Sequence, residues 1–361
     1  MSWTKKHRIK RHNKSIKGKG ILSLINKTPK SYTPSINRQL VSLRSLPHSQ
    51  LKKCNNYQAF LLKEALQIQV LGKCYPYTDM IAQEFLLKKL RANKHIQPSK
   101  MITPFQSLGN CWFNTMFVTF FMSDKGRKFF HFFRQLMIVG KQINGESIPE
   151  GIWKAFSLLN FAIEACLTGN EYAYKLNTNK IIKQIYTSIP EQFRNHYIVD
   201  VDVGSNPIYY YDTLMDYLNV KALNRMQIVA TNEDWKRRIE ERMVGMNPPH
   251  YIVMEIRDES GEKPGHSGII KNKEQKFMVK DYTYELDSCV IRDMEQQHFS
   301  SLLTCEGKEY AYDGLSFHRI VPMNWKKNIN SSKMWEFDGE SKGLKWSFLH
   351  GYQILFYYRT K

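Results

Sequence analysis

The chain is expected to form an α+β protein, with helices first and a sheet after them. Three observations predict this. From Tyr57 to about residue 187, apolar residues recur at three- and four-residue spacing. Beyond about residue 196, short runs rich in Val, Ile and Tyr replace that pattern. The two kinds of segment follow one another as blocks, which is the order of helices packed to one side of an antiparallel sheet and not of alternating βα units. The expected architecture is an N-terminal helical part against a C-terminal antiparallel sheet, with a cleft between them.

Taken in order, residues 1–54 are basic and punctuated by Ser, Pro and Asn, with short apolar islands such as Ile21 to Ile25, and are read as a flexible or docking extension. The ordered domain, 55–361, is expected to open with a helix carrying Phe60, Leu61, Ala65, Leu66 and Ile68. Further helices are predicted over Met80 to Leu90, from Cys111 onward, and over roughly 126–139, 151–167 and 175–187; Pro98 to Asn110 reads as a loop. After Cys111, Phe113, Met116, Phe117 and Phe120 would bury one helical face. Strands are predicted at Tyr251 to Ile256, Ser267 to Ile270, Lys276 to Val279, Glu309 to Tyr312 and Gln353 to Tyr358.

With 361 residues and 42% hydrophobic content, the chain is long enough to bury a substantial core. Its net charge of +20 is unevenly spread. The stretch before Glu64 holds 15 Lys and Arg and no acidic residue, leaving 38 basic against 33 acidic residues in the remainder. The basic excess is therefore a property of the arm, which could follow nucleic acid or an acidic protein. The charged, polar amino terminus predicts no secretory leader, and the apolar windows around 113–122 and 129–139 are too short to cross a bilayer. Cys54, Cys74, Cys111, Cys166, Cys289 and Cys305 are scattered without close pairs, so no zinc clamp is expected and reduced, intracellular thiols are the simplest reading.

The candidate chemistry centres on Gln106-Ser107-Leu108-Gly109-Asn110-Cys111. Gly109 and Asn110 suit a tight turn that would deliver Cys111 to a helix N-terminus, where the helix dipole favours a thiolate. Gly265-His266 supplies a base. If residues 267–270 and 276–279 pair as a hairpin, Asp281 lies opposite His266, at a cross-strand Cβ separation of about 4.5 to 5.5 Å, and could orient it; Asp287 is the alternative third member. His266 would take the Cys111 proton, the thiolate would attack a carbonyl, and the Gln106 amide with the Cys111 N–H would receive the oxyanion. This chemistry calls for no cofactor.

These residues resemble those of papain-like thiol peptidases, and particularly the ubiquitin-specific peptidases. Leu108-Gly109-Asn110, Cys111, Trp112, Phe113, Asn114 and Thr115 follow that family's cysteine box. Gly265-His266 is similar to its Gly-His element, and Gly351-Tyr352-Gln353-Ile354-Leu355-Phe356-Tyr357-Tyr358-Arg359 to its closing strand. Two departures stand out: Gln106 replaces an asparagine, and the approach to Cys111 is one residue shorter. The Gln and the Cys-Trp pair are closer to papain and calpain. The resemblance implies a papain-like fold, a thiol hydrolase of peptide or isopeptide bonds, and ubiquitin or ubiquitin-like conjugates as substrates. The aromatic, Lys- and Asn-rich composition is similar to proteins of large DNA viruses, which would put the protein in host cytoplasm or virion. Two other readings stay open: a structural or assembly protein on a peptidase fold, and a nucleic-acid-binding module.

Overall fold

A computed structural model describes residues 54–360 apart from 92–95, 143–144, 170–172, 174–175, 195–196, 202, 219–223, 232, 257–269 and 294. The basic arm and His266 therefore lie outside the described residues. The first described elements are a one-turn helix α1 (Tyr57–Phe60) and a hairpin of β1 (Gln67–Val70) with β2 (Lys73–Pro76). The longer helix expected through Ile68 does not form. The chain leaves helical geometry at Leu62, whose φ is +58°, and Ile68 and Val70 are buried from a strand. A disulfide joins Cys54 to Cys74 on β2, overturning the expectation of reduced thiols for this pair; the fold brings together two cysteines 20 residues apart.

The helical part continues with α2 (Met80–Arg91), α3 (Cys111–Phe121), α4 (Asp124–Phe129), α5 (His131–Val139), α6 (Glu150–Thr168), α7 (Thr178–Ser188) and α8 (Pro207–Tyr217). The single helix expected over 126–139 is two helices, α4 and α5, which meet at Phe130. The Ser123 hydroxyl starts α4 by accepting the Gly126 N–H at 3.1 Å, and Gly140 closes α5 with φ +68°. Every residue of α3 from Trp112 to Phe121 is buried. A helix apolar all round must lie inside the molecule, and α3 is enclosed by α4, α8 and the sheet.

The sheet is formed by β3 (Arg225–Ala230), β4 (Tyr251–Ile256), β5 (Lys276–Val279), β6 (Tyr282–Arg292), β7 (Phe299–Cys305), β8 (Lys308–Tyr312), β9 (Val321–Pro322) and β12 (Gln353–Arg359). Its order is β3-β4-β12-β6-β7-β8-β9, with β5 also paired to β6; β10 (Met334–Trp335) and β11 (Trp346–Ser347) form a separate small hairpin. Pairing is antiparallel except between β3 and β4, so the sheet is mixed. Helix α9 (Trp235–Arg242), which the sequence reading missed, returns the chain between those two strands and makes them parallel.

Two apolar layers cover the sheet. Ile354, Phe356 and Tyr358 of β12 join the core shared with the helices, while Leu355 and Tyr357 join a second cluster holding Trp235, Trp325 and Trp346. Burial on both faces explains why β12 reads as a continuous apolar run. The α+β order expected from the sequence, helices packed against a following sheet, is the order observed. Among the described residues, no helix is long and apolar enough to cross a membrane.

Candidate functional site

Cys111 is the first residue of α3 and is half-buried. The turn before it reverses at Leu108, whose φ is +59°. No side chain caps α3, because the Asn110 amide is engaged elsewhere. Its oxygen accepts the Ser107 N–H at 3.2 Å, and its nitrogen donates to Thr178 Oγ1 at 2.9 Å. Thr178 Oγ1 donates in turn to Asn114 Oδ1 at 2.8 Å, and Asn114 Nδ2 donates to the Phe105 carbonyl at 3.2 Å. Asn179 holds the Ser107 carbonyl at 2.9 Å. Asn110, Asn114 and Thr178 are buried, and such a satisfied network fixes one loop geometry. The uncapped end of α3 keeps its positive dipole facing the sulfur.

The histidine beside this cysteine is His298, at the entry to β7. The loop after β6 is organised by the buried Asp293, whose carboxylate accepts the main-chain N–H groups of Glu295 at 2.9 Å, Gln296 at 2.6 Å and His298. His298 Nε2 lies 2.6 Å from Asp313 Oδ1, just beyond β8. Strands β7 and β8 are joined by the two-residue turn Glu306-Gly307, with φ +47° and +70°, and Ser301 faces Tyr312. A two-residue turn with both φ angles positive suits the twist of a hairpin. Its register carries residues 298 and 313 to the same end of the pair. The Ser301 hydroxyl donates to the Thr115 carbonyl at 2.9 Å, fixing β7 along α3. Residues 298 and 111 precede this link by three strand residues, about 10 Å, and one helical turn, about 6 Å.

Burial lowers the His298 pKa, but the hydrogen bond and charge of Asp313, with the Cys111 side chain next to it, outweigh burial and raise it to about 9. Asp313 is fully buried; desolvation alone would raise its pKa, yet His298, Ser341 and Ser316 hold it below the ordinary carboxylate value. With Nε2 on Asp313, Nδ1 is the ring nitrogen left for the thiol. Gln106 Nε2 is 3.5 Å from Nδ1. Gln106 is itself held by its N–H to the Gly314 carbonyl at 3.3 Å, and a Cβ on Gly314 would come within 2.8 Å of the Gln106 Cβ. The buried Trp346 ring packs edge-on to the imidazole at 6.1 Å. An imidazole so placed can take a thiol proton and remain charged against its carboxylate.

Of the residues singled out in the sequence, Cys111 and Gln106 come together. His266 lies outside the described residues. Of the strand 267–270 expected to pair with 276–279 and set Asp281 across from His266, residues 267–269 also lie outside the described residues; β5 pairs with β6, and Lys280-Asp281 is the exposed turn between them. Asp287 is buried at a bulge in β6 opposite Phe356 and Tyr357. Its carboxylate accepts the Lys125 N–H at 3.1 Å and the Gly126 N–H at 3.4 Å, so it caps α4. His298 and Asp313 are not marked in the sequence, because His298 has no adjacent glycine and the serines of β7 break its apolar pattern. The two-residue turn at Glu306-Gly307 was the available signal, since it places a histidine and an aspartate at one end of a hairpin.

No known family profile matches the chain, and no curated protein matches it in sequence. Among solved structures, the chain is similar in course to the SAGA Ubp8/Sgf11/Sus1/Sgf73 DUB module bound to ubiquitin aldehyde, at 7% identity and TM-score 0.46, covering 95% of this chain and 94% of that one. For the same module bound to monoubiquitin the values are 7% and 0.45, over 98% of each chain. An essential yeast splicing factor gives 8% and 0.43, over 82% of this chain and 84% of that one. These likenesses are too distant to assign an activity, and the functional reading rests on the site's own geometry.

Proposed function

We propose that the protein is a thiol-dependent hydrolase of peptide or isopeptide bonds. Cys111 is the nucleophile, His298 the general base and acid, and Asp313 the orienting carboxylate; His298 and Asp313 take the roles the sequence suggested for His266 and Asp281. The observation that carries this reading is the meeting of three distant side chains: a thiol at a helix start, an imidazole beside it, and a buried carboxylate 2.6 Å behind the imidazole. His298 Nδ1 accepts the thiol proton, and the thiolate attacks the carbonyl carbon to form a tetrahedral oxyanion. The Cys111 N–H and the Gln106 amide donate to that oxygen. Collapse breaks the C–N bond, the imidazolium protonates the leaving amine, and a thioester remains. Water, deprotonated by His298, then releases the acid and restores the thiol.

Removal of ubiquitin or a related modifier is the finer reading, supported by the motif resemblance at 106–115 and 351–359. Turnover of ubiquitin-type isopeptides and of a diverse peptide library by the wild type, Cys111→Ala and His298→Ala tests both levels. We expect wild-type turnover and a loss of at least about a hundredfold in each variant. Turnover of ordinary peptides alone removes the modifier reading. No turnover by the wild type on either set, with assembly into larger particles, favours a structural protein on this fold.

A further inference from the structure

Behind Asp313 lies a strap, residues 336–345, held at its ends by the β10–β11 hairpin. It buries Phe337, Ser341 and Leu344 and leaves Glu336, Asp338, Glu340, Lys342 and Lys345 exposed. Phe337 packs on Trp346 at 4.8 Å and on Phe317 at 5.3 Å, which seats the strap on the loop following Asp313. Gly339 has φ +104°, and a Cβ there would lie 3.1 Å from Ser316. The strap therefore lies against Ser316 with no room for a side chain.

At its centre, the Ser341 hydroxyl donates to Asp313 Oδ2, the carboxylate oxygen that His298 does not use. The Ser316 and Ser341 hydroxyls are also bonded, and the Ser341 N–H donates to Ser316 Oγ at 3.2 Å. Ser341 has a single hydroxyl proton and gives it to Asp313, so Ser316 is the donor between the two hydroxyls. The order is Ser316 to Ser341 to Asp313, with His298 and Cys111 beyond. Ser341 is 1% exposed. A buried hydroxyl so aligned has no water to replace it, and its bond to a carboxylate is charge-assisted.

Resting on the hydrolase reading, we infer that Ser341 is a positioning residue of the site, which acts through Asp313 to hold His298 in its working orientation and charge state. The groups facing Asp313 are His298, with Cys111 beyond it, Tyr312 from β8, and the two serines. Asp293 acts on the main chain of His298, and the strap's charged side chains point to solvent. Without the Ser341 bond, Asp313 takes up a proton at a higher pH and then no longer supports the imidazolium.

The test is the pH profile of Cys111 alkylation by iodoacetamide in the full chain, which needs no substrate. Ser341→Ala should move the acidic limb to higher pH and slow alkylation at pH 6 by roughly three- to tenfold. Ser341→Thr, which keeps the hydroxyl, should restore the wild-type limb. Ser316→Ala removes only the outer donor and should move the limb less, in the same direction; it also serves if Ser341→Ala does not fold. An unmoved limb in folded Ser341→Ala overturns the inference even if the overall rate falls. If His298→Ala matches the wild type at every pH, it is the hydrolase reading that fails.

Discussion

His298 and Asp313 give the site a pH dependence whose sign follows from their shifts. The folded state raises the His298 pKa from an ordinary 6.5 to about 9. Its contribution to stability is thus fully present below pH 6.5 and is lost as pH rises through about 9. Asp313 is shifted down, so its contribution is present above the ordinary carboxylate pKa and is lost as pH falls through its folded value. Thermal unfolding from pH 5 to 9.5 should show the wild type losing stability above 6.5 relative to Asp313→Asn, with the difference shrinking toward 9. A difference independent of pH would show that the pair is not charged together. Of the site proposed here, Cys111 and Gln106 were legible in the sequence because a turn followed by an apolar helix is a local signal. His298 and Asp313 were not, because their meeting depends on which strands pair.

The hairpin β7–β8 is the element that assembles the site, and its far turn is clamped to α4. Asp124 accepts the Glu306 N–H at 2.8 Å and the Gly307 N–H at 2.9 Å, while the buried Arg127 bridges Asp124 at 2.8 Å and Glu306 at 3.1 Å. Asp124→Ala would free two turn amides and leave Arg127 with a single carboxylate, so a loss of roughly 2 to 4 kcal/mol is expected in chemical denaturation. A loss under about 0.5 kcal/mol would show the clamp to be ornamental. Strands with clear boundaries were legible: β4 and β5 match their expected limits, and β8 and β12 differ by one residue at one end. Strands β6 and β7 were missed because both are buried on two faces and carry Asp287, Ser288, Ser300 and Ser301 in the interior, which breaks the apolar pattern. Helices α8 and α9 lie in a region whose Val, Ile and Tyr content reads as strand.

For the molecule as a whole, the order of helices and sheet was readable because the two periodicities occupy separate halves of the chain. The disulfide ahead of the helices was not readable, since widely spaced cysteines reveal no pairing. That bond ties Cys54, the last residue of the expected extension, to β2. We therefore propose that the folded domain begins at residue 54 and that the basic arm is an appendage. Removal of residues 1–53 should leave cooperative unfolding intact and abolish salt-dependent retention on heparin or nucleic acid. Loss of the cooperative transition would make the arm part of the core, and unchanged retention would show its charge to be incidental.

The choice between His298 and His266 as the partner of Cys111 is the point on which the whole reading turns. It can be measured directly by labelling the full chain with an electrophilic probe at pH 6 and quantifying each cysteine by mass spectrometry, for the wild type, His298→Ala and His266→Ala. Cys111 should label far ahead of the buried Cys166, Cys289 and Cys305. His298→Ala should cut that labelling roughly tenfold to a hundredfold, because the base beside the thiol is gone, and His266→Ala should leave it unchanged. Labelling that survives His298→Ala but falls with His266→Ala would contradict the site described here.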